Sequence, residues 1–382
     1  MKTGKTLQEL VNEIERRDRG IADHIANTGA LHIRQEVVDD PDTRNPATPQ
    51  AEIVPRYLLD VPGIDTYGIN DLAHRQLGTW AGIPARYYER MRLDAPNLFL
   101  RNVRHWMHTE PAPRMLRTLD GKVRAVLSSS FLRINNQDMA ETMLGMVAKQ
   151  KSDVVSCDVT DSRLYIKGTF PHVERHLVPT RSQKDKGQVG DVLRFGWQMR
   201  NSEVGLGSAV LSIFAEVLAC TNGMTFPKEF AGVSRRHVGK RVQLTGHAMR
   251  LSSARTQRKE IEYVQSAMRD TFEHVANPAN ADEIVARLNK TTEREITGDV
   301  HGAVQTLRRE VTLSENEGSS VLAHLAAGGD LSQWGLINAV TRTAEDLDNY
   351  DRASELESIG GKMMDMSNAT WRRISEAQPV RA

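Results

Sequence analysis

Apolar residues recur at three- and four-residue steps near the start of the chain: Leu7, Leu10, Val11, Ile14, then Ile21 and Ile25. That period predicts an amphipathic helix over residues 5–28. The pattern is lost over 29–54, where Asp, Pro, Asn and Thr gather between Asp39 and Gln50, the composition of an exposed loop or linker. Helical spacing returns at Asn70 or Asp71, both good N-cap types, and continues through Leu72, Leu77 and Trp80. Gly82-Ile83-Pro84 breaks it, Ala85 to Arg92 restarts it behind the proline, and a further stretch runs from Leu98 to Met107.

The period then shortens to two. Arg114 to Leu119 and Lys122 to Ile134 flank Asp120-Gly121, a pair suited to the positive φ angles of a type I′ hairpin turn. By alternation Lys122 and Arg124 share one face and Val123 and Ala125 the other. Asn135 or Asn136 then caps a helix from Gln137 to Lys149 with Met139, Met143 and Met146 on its apolar side. A second hairpin is predicted from Val154–Val159 and Leu164–Phe170. Residues 172–190 are polar and basic, and are expected to be a mobile loop. Leu193 to Met199 alternates as a strand, Gly205 and Gly207 suit a bulge or close approach, and Leu211 to Cys220 has the apolarity of core. Asn222-Gly223 is a second pair suited to a tight turn. A long helix is expected over 246–275, and residues 278–378 are mostly helical, punctuated by Gly318, Gly328-Gly329 and Gly360-Gly361. The pattern predicts an α+β fold, a central antiparallel sheet with packed helices. It divides into a helical N-terminal extension and linker (1–54), an α+β core with hairpins (55–245) and a helical C-terminal region (246–382).

Composition adds size and charge. The 382 residues suffice for two or three domains. Fifty basic and 49 acidic side chains nearly cancel, so net charge selects no partner. Their distribution does. Arg235, Arg236, Lys240, Arg241, Arg250, Arg255, Arg258 and Lys259 crowd residues 231–260, whereas acids dominate 310–365. A basic middle beside an acidic region suggests a polyanion site. Two cysteines, Cys157 and Cys220, make neither a disulfide framework nor a zinc motif. The polar N-terminus and the absence of any run of eighteen apolar residues predict a cytoplasmic protein without a membrane span.

No phosphate-loop, zinc-protease, nucleophile-elbow or dinucleotide-binding pattern occurs. Gly205-Leu206-Gly207 lacks a third glycine. His105 and His108 lie one helical turn apart near Glu110, but no third ligand is marked, so neither metal nor cofactor is expected. Glu203 is expected to pair with Arg200, and Cys220 to be a buried thiol. Tyr87 and Tyr88 among Arg86, Arg90 and Arg92 fit either a stacking platform or one core tyrosine with a solvated basic face. The strongest positive signal is a cation set: Lys122, Arg124, Arg133, Arg194, Arg200, Arg235, Arg236, Lys240 and Arg241. On neighbouring strands these form a groove for nucleic-acid phosphates, with Trp197, Phe195, Phe131 or Tyr165 as stacking rings.

Several segments carry a resemblance. RNSEVGLG before an apolar run, CTNGM, RRHVGK, IPARYYERM, VRAVLSSSFLRINNQDMAETML and WGLINAVTR resemble, in order and spacing from about Ile83 to Asp365, the phage/plasmid-like protein family of unknown function (domain-of-unknown-function family nine-three-two). The chain departs from it in a longer polar N-terminal extension. The resemblance implies phage or plasmid origin and a role in DNA metabolism in the bacterial host. The hairpin and helix of residues 114–150 are also loosely similar to single-strand annealing proteins, which hold DNA along a basic groove in an oligomeric ring. The expectation is a homo-oligomer that holds single-stranded DNA and promotes annealing or recombination. The alternative is a phage or plasmid structural protein that oligomerises without touching nucleic acid. A third reading is an enzyme with a site at Glu203, Arg200 and His237.

Overall fold

The computed structural model describes residues 2–36, 55–219, 222–227, 232–237 and 254–379. The fold is α+β. Among the described residues the strands form two six-stranded sheets rather than one central sheet. The first contains β1 (Ala22–Asn27), β2 (His32–Glu36), β3 (Arg56–Val61), β4 (Asp65–Ile69), β5 (Pro113–Leu119) and β6 (Lys122–Ser128), in the order β1-β5-β6-β4-β3-β2. Only the β4–β6 pairing is parallel. The second contains β7 (Asp153–Val159), β8 (Leu164–His176), β9 (Val192–Asn201), β10 (Ala209–Val217), β11 (Asn222–Thr225) and β12 (Val233–Arg235). It runs antiparallel from β7 to β10, and β11 and β12 share the outer edge of β10 end to end.

Local chemistry explains the hairpins. Asp120 and Gly121 have φ of 51° and 71°, as a type I′ turn requires, and they close β5 on β6. Helices α2 (Asp71–Trp80), α3 (Ala85–Asp94) and α4 (Pro96–Thr109) cover the first sheet, burying Leu77, Tyr88, Phe99 and Val103 against Leu59 and Leu116. Against the second sheet lie α1 (Leu7–Gly20), α5 (Asn136–Gln150) and α7 (Ala254–Val275), with Met139, Met143, Trp197 and Phe272 in the core. Trp197 is fully buried and its indole N–H donates to Ser152 Oγ at 2.8 Å. Its burial contributes roughly 4–6 kcal/mol before entropy is counted. A short α6 (Arg181–Asp185) follows β8. The C-terminal part is α8 (Pro278–Thr292), α9 (Val300–Glu310), α10 (Glu315–Gly328), α11 (Gln333–Thr343), α12 (Tyr350–Met363) and α13 (Asn368–Ser375). Among these, α11 and α12 pack by β11 on the other face of the second sheet.

Four expectations are corrected. The N-terminal helix stops at Gly20, and Ala22–Asn27 pairs with β5 as an edge strand. The spacing of Ile21 and Ile25 fits a helix, but the unpaired edge of β5 captures the segment. Residues 172–190 are not one loop: β8 continues across a register shift to His176, and α6 begins with a Thr180–Gln183 capping box. Asn222-Gly223 is not a turn but the start of β11, where the fully buried Asn222 side chain donates to Asn338 Oδ1 and Thr341 Oγ1. Gly360-Gly361 does not break a helix. Both lie inside α12, where a Cβ on Gly361 would stand 2.2 Å from the Thr225 carbonyl oxygen. Their lack of side chains lets α12 lie directly on β11.

Candidate anion-binding recess

Of the nine expected cations, the seven among the described residues are not gathered into one groove. Arg124 is 5% exposed; its Nη1 donates to Glu203 Oε2 at 3.2 Å and its Nη2 to the Asp161 carbonyl at 3.0 Å. Arg133 donates from Nε to Asp23 at 2.7 Å and from Nη1 to Gln257 at 3.0 Å. Arg194 is paired with Glu174 at 2.8 Å. Lys122 and Arg236 are exposed, Arg235 lies on β12 with its Nε buried and without a partner, and Lys240 and Arg241 lie outside the described residues. The stacking rings expected at Trp197, Phe195, Phe131 and Tyr165 are each 6% exposed or less and belong to the interior. Of the paired tyrosines, Tyr88 is core, held to His74 Nδ1 at 3.0 Å, and Tyr87 is exposed.

Alternation across β6 places charge on the inner side because a carboxylate waits there. The Arg124 partner Glu203 also accepts from Asn136 N at 2.6 Å, which caps the N-terminus of α5. Arg117 of β5, fully buried, donates to both oxygens of Asp23 at 2.8 Å and to the Glu203 carbonyl at 3.2 Å. Burial alone would raise the pKa of Asp23, but the Arg117 bonds, with Arg133, hold it below its ordinary value. These residues join the two sheets. Glu203 therefore pairs with Arg124 and not with Arg200. His237 is buried between the Leu132 carbonyl and Asn201 Oδ1, both at 3.0 Å. The three residues of the enzyme reading are not brought together around a shared opening. His105 and His108 are exposed on α4, and among the described residues no cluster of ligands suits a metal ion. Cys157 is buried, with its thiol pushed up to about 11 by burial; Cys220 lies outside the described residues.

One of the expected cations does enter a site. Arg200, at the end of β9, opens on a recess of about 380 Å³. The register of the second sheet makes its floor: Tyr165, Arg200, Val210 and Ser234 lie in one row across β8, β9, β10 and β12, and Lys167, Gln198 and Ser212 lie in the next. Arg163, before β8, and the 206–208 segment form one side, Thr225 to Pro227 another, and Ser358 and Lys362 of α12 overhang it. Three cations, Arg163, Arg200 and Lys362, thus share the lining with the hydroxyls of Ser208, Ser212, Thr225, Ser234 and Ser358, and among the described residues no carboxylate lines the recess.

The local fold fixes these groups. Gly205 turns the chain with φ of 78°, and Arg163 Nη2 donates to the Leu206 carbonyl at 2.6 Å. Protein crowding pushes the Arg200 pKa down, and the like charge of Arg163 acts in the same direction. Glu355, outside the lining, offsets part of this charge, and two cations that share one wall are complementary to an anion. Behind the floor lies a polar layer. The fully buried Lys167 pairs with the equally buried Glu357, and the Thr225 hydroxyl donates to Gln198 Oε1, leaving Gln198 Nε2 without an acceptor.

Sequence reasoning missed Arg163 and Lys362. One stands alone in a hairpin turn and the other in a glycine-flanked helix, about 200 residues apart, and only the pairing of β8 with β9 and the packing of α12 on β11 bring them to Arg200. No family model, curated protein or solved structure matches the chain.

Proposed function

We propose that the chain binds nucleic acid and holds single-stranded DNA by its phosphates, with Arg163, Arg200 and Lys362 as the anchor. The observation that carries this reading is the convergence of three cations on a recess with no carboxylate among its described lining residues, whereas Arg117, Arg124, Arg133 and Arg194 are engaged by Asp23, Glu203 and Glu174. Phosphate contacts by such cations gain free energy from released counterions and need no base readout. A flexible single strand can turn one phosphate into a recess, whereas a duplex presents its phosphates on a stiff cylinder. Exposed Arg236 and Lys122 remain available to the strand beyond the recess. A phage or plasmid origin, a homo-oligomer and an annealing role belong to the same proposal, on the resemblance of the motifs.

Fluorescence anisotropy with a labelled single-stranded oligonucleotide at low salt tests it. Saturable binding, weaker for a duplex of the same length, is the expected result. Light scattering in the same buffer reads the oligomer with and without the oligonucleotide. A defined oligomer that ignores the strand at about 50 mM salt supports the structural alternative instead.

A further inference from the structure

We propose that the recess seats a terminal phosphomonoester of the nucleic acid rather than a phosphate within the strand; this rests on the nucleic-acid reading above. Charge is the first argument. A phosphodiester inside a strand carries one negative charge and two free oxygens, whereas a terminal monoester carries close to two charges at neutral pH and three acceptor oxygens. The recess offers three cations, Arg163, Arg200 and Lys362, and no carboxylate among its described lining residues. That charge exceeds what one diester neutralises.

Hydroxyl supply is the second argument. Thr225 donates to Gln198, and Ser358 donates to the Ser354 carbonyl at 3.0 Å. Among the described residues no hydrogen-bond partner is recorded for the Ser208, Ser212 or Ser234 hydroxyl, and all three line the recess. Ser212 is 5% exposed and lies in the recess lining. Buried polar groups are normally paired. Gln198 Nε2, on the residue paired with Ser212, is a buried donor without an acceptor among the described residues. Three cations and a set of unfilled hydroxyls match the three oxygens of a monoester better than the two of a diester.

Shape is the third. The floor is continuous sheet, the 206–208 segment and residues 225–227 form sides, and α12 overhangs with Ser358 and Lys362. A cup of this kind suits a chain end. A volume of about 380 Å³ is at the small-ligand scale, enough for a terminal phosphate with its first sugar.

The test uses three single-stranded oligonucleotides of one sequence, carrying a 5′-phosphate, a 3′-phosphate or neither, titrated against the full chain. The expected result is about tenfold or tighter binding of one phosphorylated form over the unphosphorylated strand, the figure for charge-assisted hydrogen bonds to one group. The two phosphorylated strands separate the ends. The preference should disappear in Lys362→Ala and in Arg163→Ala, side chains that lie at the surface of the fold. It should also shrink between pH 7.5 and about 5.5, as the monoester takes its second proton. Among the described residues no histidine or carboxylate lines the recess, and the charges acting on Arg200 there are Arg163 and, outside the lining, Glu355. Equal binding of all three strands overturns the proposal and leaves the nucleic-acid reading standing. A preference that survives both substitutions overturns it too, because the end phosphate then sits elsewhere. No binding of any strand removes both readings.

Discussion

Lys167 and Glu357 show most clearly how single residues carry this fold. Both are fully buried, and the Lys167 ammonium also lies 5.0 Å from the Tyr350 ring centroid and 5.9 Å from that of Phe214. Such a pair adds little net stability over apolar residues, but breaking it strands a charge. Lys167→Met should therefore lower unfolding free energy by about 3–5 kcal/mol. The double variant Lys167→Met/Glu357→Leu should recover much of that loss, as urea midpoints will show. Equal losses in both would mean that packing, not the stranded charge, sets the cost. Histidines give the pH dependence. Burial holds His74 down at about 3 and His237 down at about 4. Between those values and the unfolded value of about 6.5, the unfolded chain binds protons that the folded chain does not. Their contribution is fully present above about 6.5, falls as pH drops through that window, and levels off below it. Glu317, held at about 2 by Arg352 and by the Ser314 N–H, works lower: its contribution is present above its unfolded value and lost as pH falls towards 2. His237→Gln should flatten the stability curve between about pH 6.5 and 4. An unchanged slope there would remove His237 from the account.

At the scale of elements, two glycines shape the recess. Gly205 has positive φ, and a Cβ there would stand 2.7 Å from Leu127 Cδ2; on Gly361 it would meet the Thr225 carbonyl oxygen. Gly361→Ala should push α12 off β11 and cost about 1–3 kcal/mol, read as a drop in melting temperature. Gly328→Ala, at a position with nothing within 4 Å, is the control and should leave the melt unchanged. The contrast between these glycines marks what sequence can disclose. Asp120-Gly121 was legible because a type I′ turn is a local requirement. The helix at α5 was legible because Met139, Met143 and Met146 repeat within a few residues. Gly360-Gly361 was not, since nothing local separates a glycine that ends a helix from one that admits a neighbouring strand. Asn222-Gly223 failed for the same reason: the pair suits a turn, but pairing with Val217 and Glu216 in β10 overrides it. Likewise, β1 exists only because β5 offers it an edge.

At the scale of the whole molecule, the two sheets meet through Arg117, Arg124, Arg133, Asp23 and Glu203. The N-terminal segment supplies Asp23, so it is structural. Asp23→Ala should leave Arg117 buried without a carboxylate and cost several kcal/mol by urea unfolding, more than loss of an exposed pair such as Arg194–Glu174. The α+β class was legible from the alternation of periods along the chain. The division into two sheets was not, because it depends on strand pairings far apart in sequence. For the site, the sequence marked cations but not their partners. Arg124 and Arg133 belong to the joint, whereas Arg200 lines the recess in one row with Val210 of β10 and Ser234 of β12. Basic density along a chain counts charges, and only the fold shows which are neutralised. The central claim is that Arg200 and Lys362 contact phosphate. Its most direct measurement is the salt dependence of single-strand affinity for the unaltered chain, for Arg200→Ala/Lys362→Ala, and for the paired-arginine control Arg194→Ala. The account predicts that the double variant loses about 1.4 units of log–log slope, at about 0.7 per phosphate contact on a single strand, and that the control keeps its slope. An unchanged slope in the double variant, or an equal loss in the control, would contradict it.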